Sequence, residues 1–261
     1  MIFKAFIKMI MGILFFPFIL SANVEPKQTN YSRLEIGPEY SDVKLHVSST
    51  PLTTDLNFRG KLWGIVGAYE YKIPQGIYLN LNGAYRKNPI VGNHDNRQFV
   101  EQNIEGRVGY QFAFGCSKQW KFIPYTGFGW NRITQSKVGL LSMKVKAPTY
   151  YVPIGLLAIY TINEQFQMGA NLKYLPQVDA SVQISTIKHG RWNIKNKDAF
   201  TIDLPFNYHY NCPVDGTITF IPFWRILRKG EGTAVNGLQN IKIAEQVYHF
   251  WGARLIFGIN F

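Results

Sequence analysis

Histidine, aspartate and serine residues that lie close together in the sequence are the first candidates for chemistry. The five histidines are His46, His94, His189, His209 and His249, and their neighbours include Asp42, Ser48 and Ser49 around His46 and Asp95 beside His94. A carboxylate next to an imidazole can activate water, and an imidazole next to a hydroxyl can create a nucleophile. A general base must reach its proton at hydrogen-bond distance, and such pairs arise by chance in polar loops. We therefore predict that the chain is not an enzyme.

The two cysteines, Cys116 and Cys212, do not form a metal or redox motif, because the chain contains no CxxC pair. We predict no metal and no other cofactor. In an exported chain the two thiols could form a disulfide, which needs Cα atoms within about 7 Å. Free thiols and links to other chains are the alternatives.

The first 22 residues have the plan of a secretory signal peptide. Lys4 and Lys8 lie near the start of the chain, an apolar stretch runs from Met9 to Leu20, and the small residues Ser21 and Ala22 follow. A membrane anchor is the alternative, but the apolar stretch is short for a helix that spans a bilayer. We expect cleavage after Ala22, export, and a single domain over residues 23–261.

The charge of the chain limits its partners. It carries 28 Lys and Arg against 16 Asp and Glu, a formal net charge of +12. An exported protein rarely meets nucleic acid, so we predict no nucleic-acid partner and favour the phosphates of anionic lipids. Basic residues of two predicted loops could bind them, or could serve only solubility: Lys188, His189, Arg191, Lys195 and Lys197 in one, and Arg228 and Lys229 in the other.

Long runs of alternating residues dominate the chain from residue 31 onward. In "VEQNIEGRVGYQFAF" one face carries Ile104, Val108 and Tyr110, and the other carries Glu101 and Glu105. Alternation of this kind predicts a β-strand with one apolar face. Strands of globular proteins average about 5–6 residues, whereas about 9–11 tilted residues cross the hydrocarbon core of a membrane. The length favours a membrane strand.

Ten such runs are separated by gaps that alternate in length. We predict strands near 31–46, 59–72, 76–87, 98–114, 120–134, 148–162, 165–176, 199–211, 216–227 and 245–261. Short turns and longer polar loops alternate between them, as in an up-and-down transmembrane barrel. An open sheet edge is not viable in lipid, so the sheet must close. The predicted fold is all-β: a closed antiparallel up-and-down transmembrane β-barrel of about ten strands, with eight or twelve as alternatives.

Charged residues on the faces that point inward form a candidate lumen site. They are Glu35, Arg86, Glu101, Glu105, Arg107, Lys173 and Arg254. Buried charges need partners, so these residues could fill a narrow barrel as a network of ion pairs. Alternatively, they could line a polar channel. Barrels of about eight strands are filled by side chains, whereas 16–18 strands leave a pore, so ten strands favour a plugged or very narrow lumen.

Aromatic residues and cysteines fall near the predicted strand ends. Trp120, Trp130, Tyr150, Tyr151, Trp224 and Trp251 are expected to form the interfacial girdle of such a barrel rather than a ligand site. The two cysteines fall in short turns on nearly opposite sides of a ten-stranded barrel. A disulfide between them is therefore not expected.

The chain resembles the small bacterial outer-membrane β-barrel proteins, the broad superfamily that includes the OmpA-type and OmpW-type barrels. The signal peptide is one shared feature. The stretch "FIPYTGFGW" is similar to the Pro-Tyr-x-Gly-x-Gly strand of the family, and the chain ends on an alternating apolar run, Leu255, Phe257, Ile259 and Phe261. The resemblance implies that this run is the signal read by the barrel-assembly machinery.

The resemblance also implies a place in the outer membrane of a Gram-negative-type bacterium. There we expect contact with outer-membrane lipids, including anionic lipopolysaccharide, and a structural, surface-exposed or narrow-pore role. A porin-like channel for small solutes is the first alternative. A barrel enzyme acting on lipid A or on peptides is the second, because outer-membrane proteases also place Asp and His at the rim of a ten-stranded barrel. The sequence does not specify an oligomeric state.

Overall fold

The computed structural model describes residues 31–48, 55–73, 75–92, 95–114, 119–137, 144–185, 191–210, 214–235 and 243–261. The predicted signal peptide lies outside these ranges, as do Ser49, His94, Cys116, His189 and Cys212. No helix in these ranges is long and apolar enough to span a membrane.

Fifteen strands make up the regular structure of the described residues. They are β1 (Tyr31–Val47), β2 (Leu56–Lys72), β3 (Ile77–Gly92), β4 (Asn96–Tyr110), β5 (Phe112–Phe114), β6 (Trp120–Lys137), β7 (Lys144–Tyr151), β8 (Ile154–Thr161), β9 (Phe166–Ile184), β10 (Arg191–Ile194), β11 (Asp198–Asp203), β12 (Phe206–Tyr210), β13 (Gly216–Lys229), β14 (Gly232–Val235) and β15 (Gln246–Asn260).

The sheet closes on itself. The last strand, β15, pairs antiparallel with β1 from Arg33↔Asn260 to Val47↔Gln246, and every other neighbouring pair is also antiparallel. Three pairs, β4–β5, β7–β8 and β11–β12, each act as one strand, because both members of a pair lie along the same neighbouring strand. The short strands β10 and β14 pair with each other and extend β11 and β13, since β10 also pairs with β9, so that ten barrel strands remain. The predicted closed antiparallel barrel of ten strands is thereby confirmed.

Proline explains two of the interruptions. Pro153 separates β7 from β8, and Pro205 separates β11 from β12. Proline has no N–H group to donate to the hydrogen-bond ladder of a sheet. The carbonyl of Pro205 still accepts a bond from the N–H of Gly169, so the barrel wall stays continuous there.

The outer surface carries an apolar belt. Leu34, Ile36, Trp63, Ile65, Leu81, Ile104, Phe128, Phe220, Leu255 and Phe257 are all at least 40% exposed. A strand of 17 residues such as β1 is about 56 Å long at ~3.3 Å per residue. At a tilt of about 40° it rises about 43 Å, more than the ~25 Å apolar band of such barrels. The strands therefore continue beyond the belt at the end that carries the long loops, here called the long-loop end.

Tyrosine and glycine pair across the wall and explain the stretch "FIPYTGFGW". Tyr125 lies opposite Gly155, and Tyr151 lies opposite Gly129. A Cβ atom on either glycine would collide with the facing tyrosine ring. The glycines thus leave space for two large rings to lie against the inner wall.

Candidate functional site

A group of ion pairs crosses the middle of the lumen. This central network consists of Glu39, Arg86, Glu101, Arg225, Arg254 and Asp203. Arg86 donates to both carboxylate oxygens of Glu39, and Arg254 Nε donates to Glu39 Oε2 at 3.0 Å. Arg225 Nη2 donates to Glu101 Oε2 at 2.7 Å, and Arg86 Nη1 lies 3.1 Å from the same oxygen. Arginine and carboxylate therefore alternate from wall to wall.

A second group lies against the central network. Arg107 donates to Glu105, whose other carboxylate oxygen accepts a bond from the hydroxyl of Tyr151 at 2.9 Å. The Nζ atom of Lys173 lies 3.7 Å from Glu105 and 3.8 Å from Asp203. Lys173 thus links the two groups through long contacts rather than tight ones.

A third group lies at the end of the barrel that carries the short turns, here called the short-turn end. Arg33 contacts Glu35 at 2.7 Å and Glu70 at 2.8 Å, and Lys72 contacts Glu70 at 2.7 Å. The structure places all seven charged residues named from the sequence inside the barrel. Arg86, Glu101 and Arg254 belong to the central network, Glu105, Arg107 and Lys173 to the second group, and Glu35 to the third.

Above the central network, toward the long-loop end, the lumen is filled by apolar side chains. This apolar layer consists of Val43, Leu45, Phe58, Leu62, Ile90, Phe99, Ile133, Tyr151, Leu175, Ala199, Phe223, Leu227, Tyr248 and Phe250. Each of the ten barrel strands contributes at least one of them, and none is more than 7% exposed. The rings of Phe99 and Phe250 come from strands that are not neighbours, and their centroids lie 6.3 Å apart across the lumen.

Arginines join the apolar layer to the charges on either side of it. The guanidinium carbon of Arg225 lies 4.0 Å from the ring centroid of Phe250, and that of Arg254 lies 4.3 Å from the ring of Phe223. On the long-loop side, Arg97 lies 4.4 Å from the ring of Phe58. Such stacking keeps a delocalised cation next to apolar surface at low cost.

A cavity of about 350 Å³ occupies the rest of the lumen. Leu175, Ala199 and Leu227 of the apolar layer contribute to its lining. At the short-turn end its lining reaches Lys72, Gln111, Lys121, Gln167 and His209. Among the described residues the cavity therefore extends from the apolar layer to the short-turn end, with charged and polar side chains along most of its wall.

The candidate Asp and His residues that the structure describes do not come together as a pair in the lumen. Asp42 and His46 lie on the outer face of β1, and His46 Nδ1 is 3.0 Å from Asn57 Oδ1. Asp95 accepts a bond from Arg97 at 3.2 Å. His249 lies on the outer wall opposite Lys44. His209, in contrast, lines the cavity.

Several residues lie elsewhere than the sequence predicts, among them Arg191 and Arg228, which belong to β10 and β13 rather than to loops. Lys229, expected in a loop, is the last residue of β13 and points inward, where it is 1% exposed and donates to the carbonyl of Ala147 at 2.6 Å. Burial without a carboxylate contact lowers the pKa of Lys229 to about 7, although the charge of Glu101 acts in the opposite direction. Tyr151, expected in the outer girdle, belongs to the apolar layer, whereas Trp120, Tyr150, Trp224 and Trp251 are exposed on the outer wall.

Sequence reasoning missed several members of the network, including Glu39 and Arg225. The alternation along each strand predicts that both side chains point inward. Glu39 lies four residues after Glu35 on β1, and Arg225 lies two residues after the buried Phe223 on β13, so each shares the face of the earlier residue. Alternation gives the side of the wall on which a residue lies. It does not give the partner across the lumen.

Comparison with known proteins is informative only at the level of structure. No family model matches the chain, and no curated protein matches it in sequence. The outer membrane protease OmpT from Escherichia coli is 12% identical and has a TM-score of 0.67, with 93% of this chain and 99% of that chain covered. The translocator domain of the autotransporter NalP from Neisseria meningitidis is 11% identical with a TM-score of 0.44, over 99% of this chain and 97% of that one.

The comparison corrects one expectation and leaves another unconfirmed. The prediction that the chain is not an enzyme is wrong, because a fold that also forms a protease gives no ground for excluding catalysis. The narrower resemblance to the OmpA-type and OmpW-type barrels is not shown. At this level of identity the likeness concerns the fold alone, which is a closed antiparallel β-barrel of ten strands.

Proposed function

We propose that this protein is an outer-membrane barrel whose lumen is closed to the passage of solutes, so that its role is structural or surface-exposed rather than porin-like. The apolar layer is the observation that carries the proposal. Hydrated ions would have to leave their water shell to cross a dry layer to which all ten barrel strands contribute. The ion pairs beneath it are mutually neutralised, and the contact of Arg225 with Glu101 bridges opposite walls.

The outer wall supports a place in the membrane next to anionic lipids. Lys44, Arg59, Lys61 and Lys87 are exposed on β1, β2 and β3 and form no ion pair with a described residue. They lie just beyond Tyr40 and Trp63, at the edge of the apolar belt. Cations at this height can reach lipid phosphates, while the aromatic rings lie at the interface.

The same proposal includes export and assembly. It takes residues 1–22 as a signal peptide and Leu255, Phe257, Ile259 and Phe261 as the signal for the barrel-assembly machinery. The four side chains point outward and are between 40% and 73% exposed, so they are accessible as a ridge on the closing strand. Lipopolysaccharide is the proposed lipid partner.

Single-channel recording in planar bilayers tests the closed lumen. We expect the wild-type chain to insert without discrete ion steps. Replacing two facing rings of the apolar layer, Phe99→Ala with Phe250→Ala, opens a path for water and should produce such steps. The matched control, Phe128→Ala with Phe220→Ala, removes two outward rings and should stay silent. Discrete steps from the wild-type chain would contradict the proposal.

A further inference from the structure

The mouth of the lumen cavity carries cations that the carboxylates do not neutralise. Lys121, the second residue of β6, lines the cavity, and its side chain forms no ion pair or hydrogen bond with any described residue. The positive charges of Arg33, Lys72 and Lys121 all act on His209, which shares the mouth, and the negative charge of Asp215 opposes them. The Nε2 atom of His209 is buried and has no hydrogen-bond partner within the described ranges.

The acids of the lumen are already occupied. Glu35 and Glu70 contact Arg33 and Lys72, and the deeper acids contact Arg86, Arg107, Arg225 and Arg254. Eight cationic side chains line the cavity, against six carboxylates that line it or pair with its arginines, which leaves an excess of two positive charges. A cation entering from the short-turn end would meet no unpaired carboxylate among the described residues that line the cavity, because Asp215, whose charge also acts on His209, does not line it. An anion would meet the ammonium of Lys121 first.

The interior of the cavity can continue such a contact. Lys173, also on its wall, is held only by contacts of 3.7 and 3.8 Å, so its ammonium keeps donor capacity. The side chains of Gln111 and Gln167 offer amide groups near the mouth. At ~30 Å³ per water molecule, the cavity holds about a dozen waters, which suits a small molecule and not a polymer.

We propose that the lumen cavity is a binding site for a small oxyanion, a phosphate or a carboxylate, that enters from the short-turn end and is held first by Lys121. Charge-assisted hydrogen bonds from ammonium groups are the strong contacts of such a site. The apolar layer of the proposed closed lumen makes the site a pocket rather than a passage. The inference rests on the closed lumen of the proposed function.

Isothermal titration of the full chain folded in detergent tests this site, with inorganic phosphate and succinate as separate probes at low ionic strength. We expect saturable binding of at least one probe, with one site per barrel. Phosphate binding alone would point to a phosphate ligand, and succinate binding alone to a carboxylate ligand. Lys121→Met should weaken binding at least about tenfold, because it removes a charged donor. The Lys121→Met barrel should stay folded, because the substitution removes a charge from a partly desolvated position.

Lys137→Met is the matched control, since Lys137 lies at the other end of β6 and contacts Asp95 at 3.8 Å. It should bind as the wild type does. Absence of saturable binding of both probes to the wild-type chain would overturn the proposal, whatever the variants do. Unchanged affinity in Lys121→Met would also overturn it. Neither result would bear on the closed lumen, which the conductance of the wild-type chain tests independently.

Discussion

Glu101 is the carboxylate through which β4 contacts β13 across the lumen. It is fully buried, accepts a bond from Arg225 at 2.7 Å and from Asn131 at 2.7 Å, and lies 3.1 Å from Arg86. Glu101→Gln would leave two buried guanidinium groups without their shared anion. Removing one partner of a buried ion pair costs about 3–5 kcal/mol. We expect a loss of that size in the free energy of unfolding, measured by urea titration of the chain folded in lipid vesicles.

Glu231→Gln provides the control at this scale. Glu231 also pairs with a cation, Lys195, at 3.3 Å, but both side chains are about two-thirds exposed. An exposed pair contributes about 0–1 kcal/mol, so the control should unfold nearly as the wild type does. Equal losses in the two variants would show that the central network does not stabilise the barrel as the structure indicates.

At the scale of the element, β13 ends beyond the apolar belt on Lys229, whose side chain is buried. The pKa of Lys229 is about 7 in the folded chain and 10.5 when exposed. Between these values the unfolded chain binds more protons, so the free energy of unfolding rises with pH from about 7 to about 10. The shift corresponds to at most about 5 kcal/mol. Below pH 7 the full cost of burying the charge remains.

Lys229→Met should therefore stabilise the barrel at pH 6 and flatten its stability between pH 7 and pH 10. Urea midpoints across this pH range provide the measurement. Lys137→Met, on an exposed strand end, should keep the wild-type slope. A wild-type midpoint that does not rise above pH 7 would show that the ammonium finds acceptors other than the carbonyl of Ala147.

At the scale of the whole molecule, the belt and the cations beyond it predict a barrel that is stabilised by anionic lipid. In SDS the unheated chain should migrate as a folded species and shift after heating. The temperature of that shift should rise by several degrees in vesicles with anionic lipid, since each cation near the surface contributes about 1 kcal/mol. The triple variant Lys44→Gln, Lys61→Gln and Lys87→Gln should lose most of this rise.

The control variant also replaces three lysines by glutamine, so its net charge changes by the same amount. These lysines are exposed toward the long-loop end, farther from the belt: Lys137, Lys144 and Lys195. It should keep the lipid-dependent rise. No mobility shift at all, with the wild-type chain recovered as a soluble protein, would refute the membrane assignment itself.

The sequence by itself determined the wall of the barrel. Alternation with a period of two is a local property, so it gave the ten strands, most of their ends and the inward face that carries Glu35, Arg86 and Glu101. The inward positions of Lys229 and Tyr151 were not predicted. Each residue lies at the end of a strand, where the alternating pattern is weak, and its type suits a loop or an interfacial girdle equally well.

Only the tertiary structure decided what fills the lumen. The hydrogen bond from Gln135 to Tyr248 joins residues 113 positions apart, and the contact of Arg225 with Glu101 joins residues 124 apart. Such partners depend on the curvature and stagger of the closed sheet, which no local pattern contains. The apolar layer has the same origin: its members stand singly or in pairs on ten strands, and they come into contact only when the sheet closes into a barrel.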